Sequence, residues 1–297
     1  MAIKDAARAA HGADRSVGVN ELIRQAHFDR LLCRVFSDGS DSEWVLKGGT
    51  GMLARVPNTR STKDIDLAIN GYSLDQALSR LRSLAAVDLQ DHFHFAYLKR
   101  TESIAGDQQP YAHGYHVTFQ VYLGTKALSD LTVDLVAGPG EAAEVDVVEP
   151  ANRLNVPRLV TFPYRLYPVA NQIADKVCAT LATYPGGQSS RERDLIDLVV
   201  IANTQTVNAN ELREAIRREA RLRGLDQVTA LDLPSGWGSV YATEARKVPA
   251  CSQHTSFADA QALMADFVTQ VLRSSDLSAQ WNPESLTWSD APSTSTT

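Results

Sequence analysis

Apolar side chains recur at helical spacing from Val19 to Phe36, with Leu22, Ile23, Ala26, Leu31 and Val35 near one face, so a helix is predicted there. "EWVLK" then reads as a short strand ended by Gly48 and Gly49. A short helix from Thr50 to Arg55 follows, and the loop "VPNTRST" leads into a strand, "KDIDLAI". "SLDQALSRLRSLAA" is a second amphipathic helix, with Leu74, Ala77, Leu78 and Leu81 on one side. "HFHFAYLKR", "YHVTFQVYLG" and "LTVDLVAG" are strands, the middle one alternating through Val117, Phe119 and Val121.

After Pro157 the period changes. "VANQIADKVCATLATY", "SSRERDLIDLVVIAN", "NANELREAIRREARLRG" and "FADAQALMADFVTQVLRSS" are helices, the second opened by Ser189 and Glu192 at capping-box spacing after the loop "YPGGQS". The predicted organisation is α+β: a mixed-sheet domain over 1–160, a mainly helical domain over 161–280, and a disordered tail over 281–297. That tail, "WNPESLTWSDAPSTSTT", ends in a Ser/Thr run that cannot bury a core.

Composition narrows this picture only a little. A chain of 297 residues with 44% hydrophobic content can bury a substantial core. A net charge of −6 argues against a surface that is basic throughout, and leaves room for a local basic groove. No apolar run reaches the length of a membrane span, and the N-terminal "MAIKDAARAAHGADR" lacks the apolar stretch of a secretory signal, so a cytoplasmic protein is expected. Cys33, Cys178 and Cys251 are scattered, which suits reduced, buried thiols.

The chemistry concentrates between Leu46 and Asn70. In a strand, side chains two apart share a face, so Asp64 and Asp66 project together while Ile65 packs inward. Crowded carboxylates repel, and a divalent cation with a preference for oxygen removes that penalty. Asp134, in the middle of a later strand, completes the cluster if its strand pairs beside the first. Gly48 and Gly49 allow close approach of backbone to a phosphate, and Thr50 stands where an N-cap hydroxyl and the first helical N–H groups can bind an anion. A triphosphate on that helix start, with Mg²⁺ at the carboxylates, is the arrangement for in-line nucleotidyl transfer; two ions are expected, and Mn²⁺ can stand in.

The order Gly48-Gly49, Asp64-x-Asp66, Asp134 resembles that of polymerase-beta-like nucleotidyltransferases. More narrowly, "LKGGTGMLAR", "RSTKDIDL", "YPVANQIADKVCATL" and "RERDLIDLVVIA" together look like the AbiEii/MenT nucleotidyltransferase toxins of bacterial toxin–antitoxin systems. The resemblance covers Val45 to Ala202. It implies transfer of nucleotides from an NTP to an RNA acceptor, the 3′ end of tRNA, which blocks aminoacylation; it also implies an antitoxin encoded nearby. Carried over onto this sequence, it makes Asp64 and Asp66 metal ligands, sets Thr62 at the hydroxyl position before them, and gives Lys176 to the triphosphate. Asp194 and Asp197 both match the aspartate of the last block; Asp197, embedded among Leu195, Ile196, Leu198 and Val199, is favoured, with Lys176 its natural partner.

Plainer readings stand beside these. Asp64 and Asp66 can be a solvated edge, and Lys176 and Asp197 a structural ion pair. Arg60 either neutralises phosphate or caps its loop. Arg213, Arg217 and Arg221 recur every four residues as a stripe for RNA phosphates, yet Glu214 and Arg218 show the pairing of an ordinary solvated helix. His92 and His94 share a strand face but lack a third ligand, and His113 and His116 are weaker metal candidates still. Ser61 and Thr62 precede the carboxylates, so a phosphate on either would add about −1.5 to −2 charges there and is expected to inhibit. A small-molecule nucleotidyltransferase and a nucleotide-binding regulatory protein are the alternative functions.

Overall fold

Strict alternation decides the main sheet. The computed structural model describes residues 2–103, 114–138, 144–182, 191–225, 227–274 and 278–290. They divide into two units, one running to Tyr167 and the other beginning at Pro168. The loop "YPGGQS", Ser189 of the expected capping box, His113 and residues 291–297 lie outside the described residues.

In the first unit the elements run α1 (Ala2–Ala13), α2 (Val19–Val35), β1 (Trp44–Lys47), α3 (Gly48–Arg55), β2 (Asp64–Asn70), α4 (Leu74–Ala85), β3 (Phe93–Ser103) and β4 (Gly114–Leu123). They continue with β5 (Lys126–Ala127), β6 (Leu131–Gly138), β7 (Asp146–Val148) and β8 (Tyr164–Leu166). The strands form one eight-stranded mixed sheet, ordered β3-β4-β6-β2-β1-β8-β7, with β5 paired to β4. β2 alternates half-buried and buried along its length, so Ile65, Leu67 and Ile69 face the core. Val117, Phe119, Val133 and Leu135 join them from β4 and β6, and α2 and α4 cover that face with Leu31, Leu32, Val35, Ala77, Leu78 and Leu81. A Ser73–Gln76 capping box starts α4. The opposite face of the sheet is where polar side chains gather.

Some charge in this unit is structural. Arg30 and Arg34, one turn apart on α2, are buried, and both bond the buried Asp91 ahead of β3, the closest contacts of each at 2.7 Å. Arg30 also donates to the carbonyl of Val160 and Arg34 to that of Phe93, each at 3.0 Å. Nothing in the hydrophobic pattern announces this network, because it replaces apolar contacts between α2 and β3.

The second unit contains α5 (Val169–Leu181), α6 (Glu192–Thr204), β9 (Val207–Asn208), α7 (Ala209–Leu222), α8 (Gly238–Ala245), α9 (Phe257–Met264) and α10 (Gln270–Arg273). The expected single helix over 257–275 is interrupted by a π-helical turn, Ala265–Thr269, between α9 and α10. The disordered tail expected from Trp281 is corrected as far as Asp290: β10 (Ala279–Asn282) and β11 (Thr287–Asp290) form a hairpin, and β10 pairs with β9. Trp281 is fully buried, 4.7 Å from Phe267 ring to ring, and its Nε1 donates to the carbonyl of Ala202 at 2.7 Å. Trp288 stacks on Phe267 and donates to the carbonyl of Asp266 within the π turn. Two tryptophans thus anchor a segment whose composition alone reads as solvent-exposed.

Two stability experiments follow. Asp91→Asn removes the carboxylate shared by two buried guanidinium groups and should cost about 3–5 kcal/mol in denaturant unfolding at neutral pH. Burial pushes the Asp91 carboxyl up, but bonds from Arg34, Phe93 and Arg30 outweigh it and hold the group below 3.8. Its stabilisation is therefore complete above that value and is lost as pH falls through the depressed one, so the gap between wild type and variant should stay constant from pH 8 to 5 and close in acid. Trp281→Ala should cost about 3–5 kcal/mol and expose α6 amides to exchange; wild-type stability would mean the hairpin is only an appendage.

Candidate active site

The polar face of the sheet is organised by register. Asp66 on β2 pairs directly with Asp134 on the parallel strand β6, and with Lys47 on the antiparallel strand β1. Asp134 in turn pairs with His116 on β4. Directly opposed residues share a face, so one transverse row reads His116, Asp134, Asp66, Lys47, with Asp64 two residues before Asp66 on the same side. The expectation that the strand of Asp134 pairs beside that of the first two carboxylates is met.

Each carboxylate has a distinct setting. Oδ1 of Asp64 accepts from Thr62 Oγ1 at 2.9 Å. Oδ1 of Asp134 lies 2.5 Å from Nδ1 of His116. Burial raises the Asp134 carboxyl, the hydrogen bond and charge of His116 oppose that rise, and the Asp64 charge adds to it. Asp66 lies against Gly48. Among the described residues, no group of three or more His, Cys, Asp or Glu side chains already surrounds a common point. The donor chemistry nevertheless fits a hard divalent cation: these are carboxylate oxygens on adjacent strands, and the burial and mutual repulsion that raise Asp134 are costs a cation would relieve.

The glycines are required by space. Gly48 has φ of +59°, and a Cβ there would sit 1.8 Å from Oδ2 of Asp66. A Cβ on Gly49 would lie 2.9 Å from Thr62 Oγ1, and Arg60 Nη1 is 3.7 Å from the same point. The glycine pair begins α3, two residues earlier than the sequence suggests, so backbone N–H groups at the helix start stand beside the carboxylates with the Arg60 guanidinium near them. The Thr50 hydroxyl is a correction: buried, it donates to the carbonyl of Asp64 at 2.7 Å and braces β2, while the N-cap of α3 is Lys47. Lys47 was missed as a site residue although it abuts the glycines; its ammonium lies 4.3 Å from the centre of the Tyr167 ring.

Ser61 and Thr62 separate. Thr62 is buried against Gly49, whereas Ser61 is exposed and held by Arg24, with its own hydroxyl donating to Glu21 at 3.2 Å.

In the helical unit Lys176 does not choose between its two aspartates. Its Nζ is 2.6 Å from Asp197 Oδ2 and 3.0 Å from Asp194 Oδ1, and Arg191 bonds the other oxygen of Asp194. Burial pushes the Asp194 carboxyl up, and the charges of Lys176 and Arg191 overcome it and hold the group below its ordinary value. The RNA stripe on α7 is corrected at its first member: Arg213 is buried and donates to the carbonyls of Val271 and Ser274, so it is unavailable to phosphate. Arg217 is exposed and paired with Glu214 at 2.8 Å, as in an ordinary solvated helix, and Arg221 is exposed. The three thiols are buried, and burial drives the Cys33 thiol up to about 11, away from reactivity.

The family described as "Nucleotidyl transferase AbiEii toxin, Type IV TA system" matches residues 30–285. The chain belongs to the AbiEii family. It is thus a nucleotidyltransferase of the toxin class, and membership brings with it a nucleotide substrate and an antitoxin partner. Among solved structures, the chain is similar to MenT4, the nucleotidyltransferase toxin Rv2826c of Mycobacterium tuberculosis H37Rv. That match has 16% identity and a TM-score of 0.54, and covers 91% of this chain and 89% of that one. It is also similar to JHP933 from Helicobacter pylori, with 15% identity, a TM-score of 0.45, and 85% and 91% coverage. At such identities the likeness to MenT4 is one of fold. A comparison with curated proteins finds no match. Among the described residues no helix is long and apolar enough to cross a membrane.

A double-mutant cycle tests the packing at the heart of this AbiEii site. Gly48→Ala should destabilise the fold through both its positive φ and its collision with Asp66, whereas in an Asp66→Ala background only the backbone cost remains, about 1–2 kcal/mol. The two substitutions should therefore couple by about 0.5–3 kcal/mol in urea unfolding; strictly additive costs would show that Asp66 does not confine Gly48.

Proposed function

We propose that the protein transfers a nucleotide from a nucleoside triphosphate to an RNA acceptor, the 3′ end of tRNA, in a Mg²⁺-dependent reaction in which Mn²⁺ can substitute. Blocking that end would prevent aminoacylation and stop translation in the cytoplasm. The observation that carries this reading is the direct register of Asp66 with Asp134 beside the forced glycine at residue 48.

Asp64, Asp66 and Asp134 would hold the cation, which when bound neutralises phosphate charge and lowers the pKa of an attacking hydroxyl. Backbone N–H groups at Gly48 and Gly49 receive the triphosphate where no side chain intervenes, and Arg60 meets its charge. Thr62 donates to one oxygen of Asp64, which would leave the other for the cation. His116 does the same for Asp134. In the helical unit, Asp194 and Asp197 fix where the Lys176 ammonium sits. The chain's own task is positioning and charge neutralisation, because a phosphoryl centre in line with its nucleophile asks for little else.

Purified protein should label total tRNA from a radiolabelled nucleotide in the presence of Mg²⁺, and a chelator should abolish the label. Asp64→Ala or Asp66→Ala should fold and lose on the order of 10³ or more in rate. Undiminished labelling by Asp66→Ala would remove the mechanism, and label confined to small hydroxyl compounds would replace RNA with a metabolite as acceptor.

A further inference from the structure

Beyond Asp134, the sheet continues through β4 to its edge strand β3, and the carboxylate-bearing face continues with it. His116 pairs with Thr101, Thr118 pairs with both Thr132 and Lys99, and Tyr122 pairs with His94. A bulge between Tyr97 and Lys99 inserts one residue, so Lys99 and Thr101 stay on the same side as His94 despite the shift in count. The reverse side of these strands is core: Phe93, Phe95, Val117, Phe119 and Val121 are buried there. On the open side His94, Lys99, Thr101 and His116 are exposed, and the His94 and Tyr122 rings lie 6.2 Å apart, tilted by 41°.

Three features of this face point to one occupant. Its β3 and β4 positions carry no carboxylate, although the chain as a whole has a net charge of −6, and they do carry Lys99. It is continuous with the reaction centre, since His116 is both its last residue and the partner of Asp134. It also lies on the required side: with the triphosphate received at Gly48 and Gly49, beside β1 and β2, the leaving pyrophosphate points that way, and an in-line nucleophile must arrive from the side of Asp134. The stretch from Tyr122 to His116 spans on the order of 20 Å of extended strand, room for a short run of single-stranded nucleotides. An exposed His94 ring beside a half-buried Tyr122, with Lys99 between them and His116, supplies what such a run needs, stacking for bases and a cation for phosphate.

We propose that this β3–β4 face is the platform for the single-stranded end of a polynucleotide acceptor. Its bases stack at Tyr122 and His94, its backbone passes Lys99 and Thr118, and its terminal hydroxyl reaches Asp134 past His116. The proposal rests on the RNA-acceptor reading above and moves recognition of that end from the α7 arginines to the sheet. It assigns a place to His94, which as a metal candidate had none.

The test measures labelling of total tRNA by the full-length protein, with KM determined separately for tRNA and for nucleotide. Tyr122→Ser and Lys99→Glu should each raise the KM for tRNA roughly fivefold or more while the KM for nucleotide stays put. Tyr122→Phe, which keeps a stacking ring, should recover most of the loss. Lys4→Glu makes the same charge change on an exposed residue of α1 and should leave both constants unchanged. Lys99 is exposed on an edge strand, so its variant folds even if that of Tyr122 does not, and an unchanged nucleotide KM reports that the fold is intact. If wild type labels tRNA and Lys99→Glu matches it in KM, the platform is wrong and the RNA reading survives. If wild type labels no RNA at all, both fall together.

Discussion

A side chain at residue 48 would have nowhere to go. The strand β1 ends, the backbone swings to positive φ, and the carboxylate of Asp66 occupies the volume a Cβ would take. That approach holds the start of α3 against β2, and so sets the distance between a helix N-terminus that attracts phosphate and carboxylates that attract a cation. The braces around it serve the same contact: Thr50 ties α3 to the backbone of Asp64, and Thr62 packs on Gly49 while holding the side chain of Asp64. Two centres of opposite preference are thereby kept within one small region by van der Waals contact, which tolerates less slack than attraction alone.

Charge in the rest of the molecule divides into kinds that composition cannot separate. Arg30 and Arg34 share Asp91 in the core of the first unit, and Asp29, which also meets Arg30, is bonded by both Arg153 and Tyr164. Arg213 is spent on backbone carbonyls, and Arg223, its side chain buried, binds Asp175 and Glu219. Such groups raise the count of ionisable residues without offering anything to a ligand. On the open face of the main sheet, by contrast, Asp64, Asp66 and Asp134 are only half-buried.

Sequence made the carboxylate row legible because a strand's period of two leaves little choice: once Ile65, Leu67 and Ile69 are inside, Asp64 and Asp66 share the other face. The pairing of β2 with β6 needed one assumption, and the register met it. Thr50 was misassigned because helix starts are uncertain by a residue or two, and here two residues turn a capping position into a buried one. Arg213 was misassigned because spacing at i, i+4 shows which residues share a face and says nothing about whether that face is covered. His116 was set aside as a metal candidate, when its position opposite Asp134 on a neighbouring strand is a fact of pairing that no local pattern contains. The hairpin of β10 and β11 was lost to a compositional rule, although Trp281 and Trp288 flank a turn in which Asn282 accepts from the backbone of Glu284.

That hairpin bears on the order of events during synthesis. In the helical unit Trp281 is fully buried and bonded to the end of α6, yet it follows every helix of that unit in the chain. Those helices must wait with a vacancy in their packing until the hairpin has been made. A copy terminated before residue 281 lacks the tryptophan that the unit packs around.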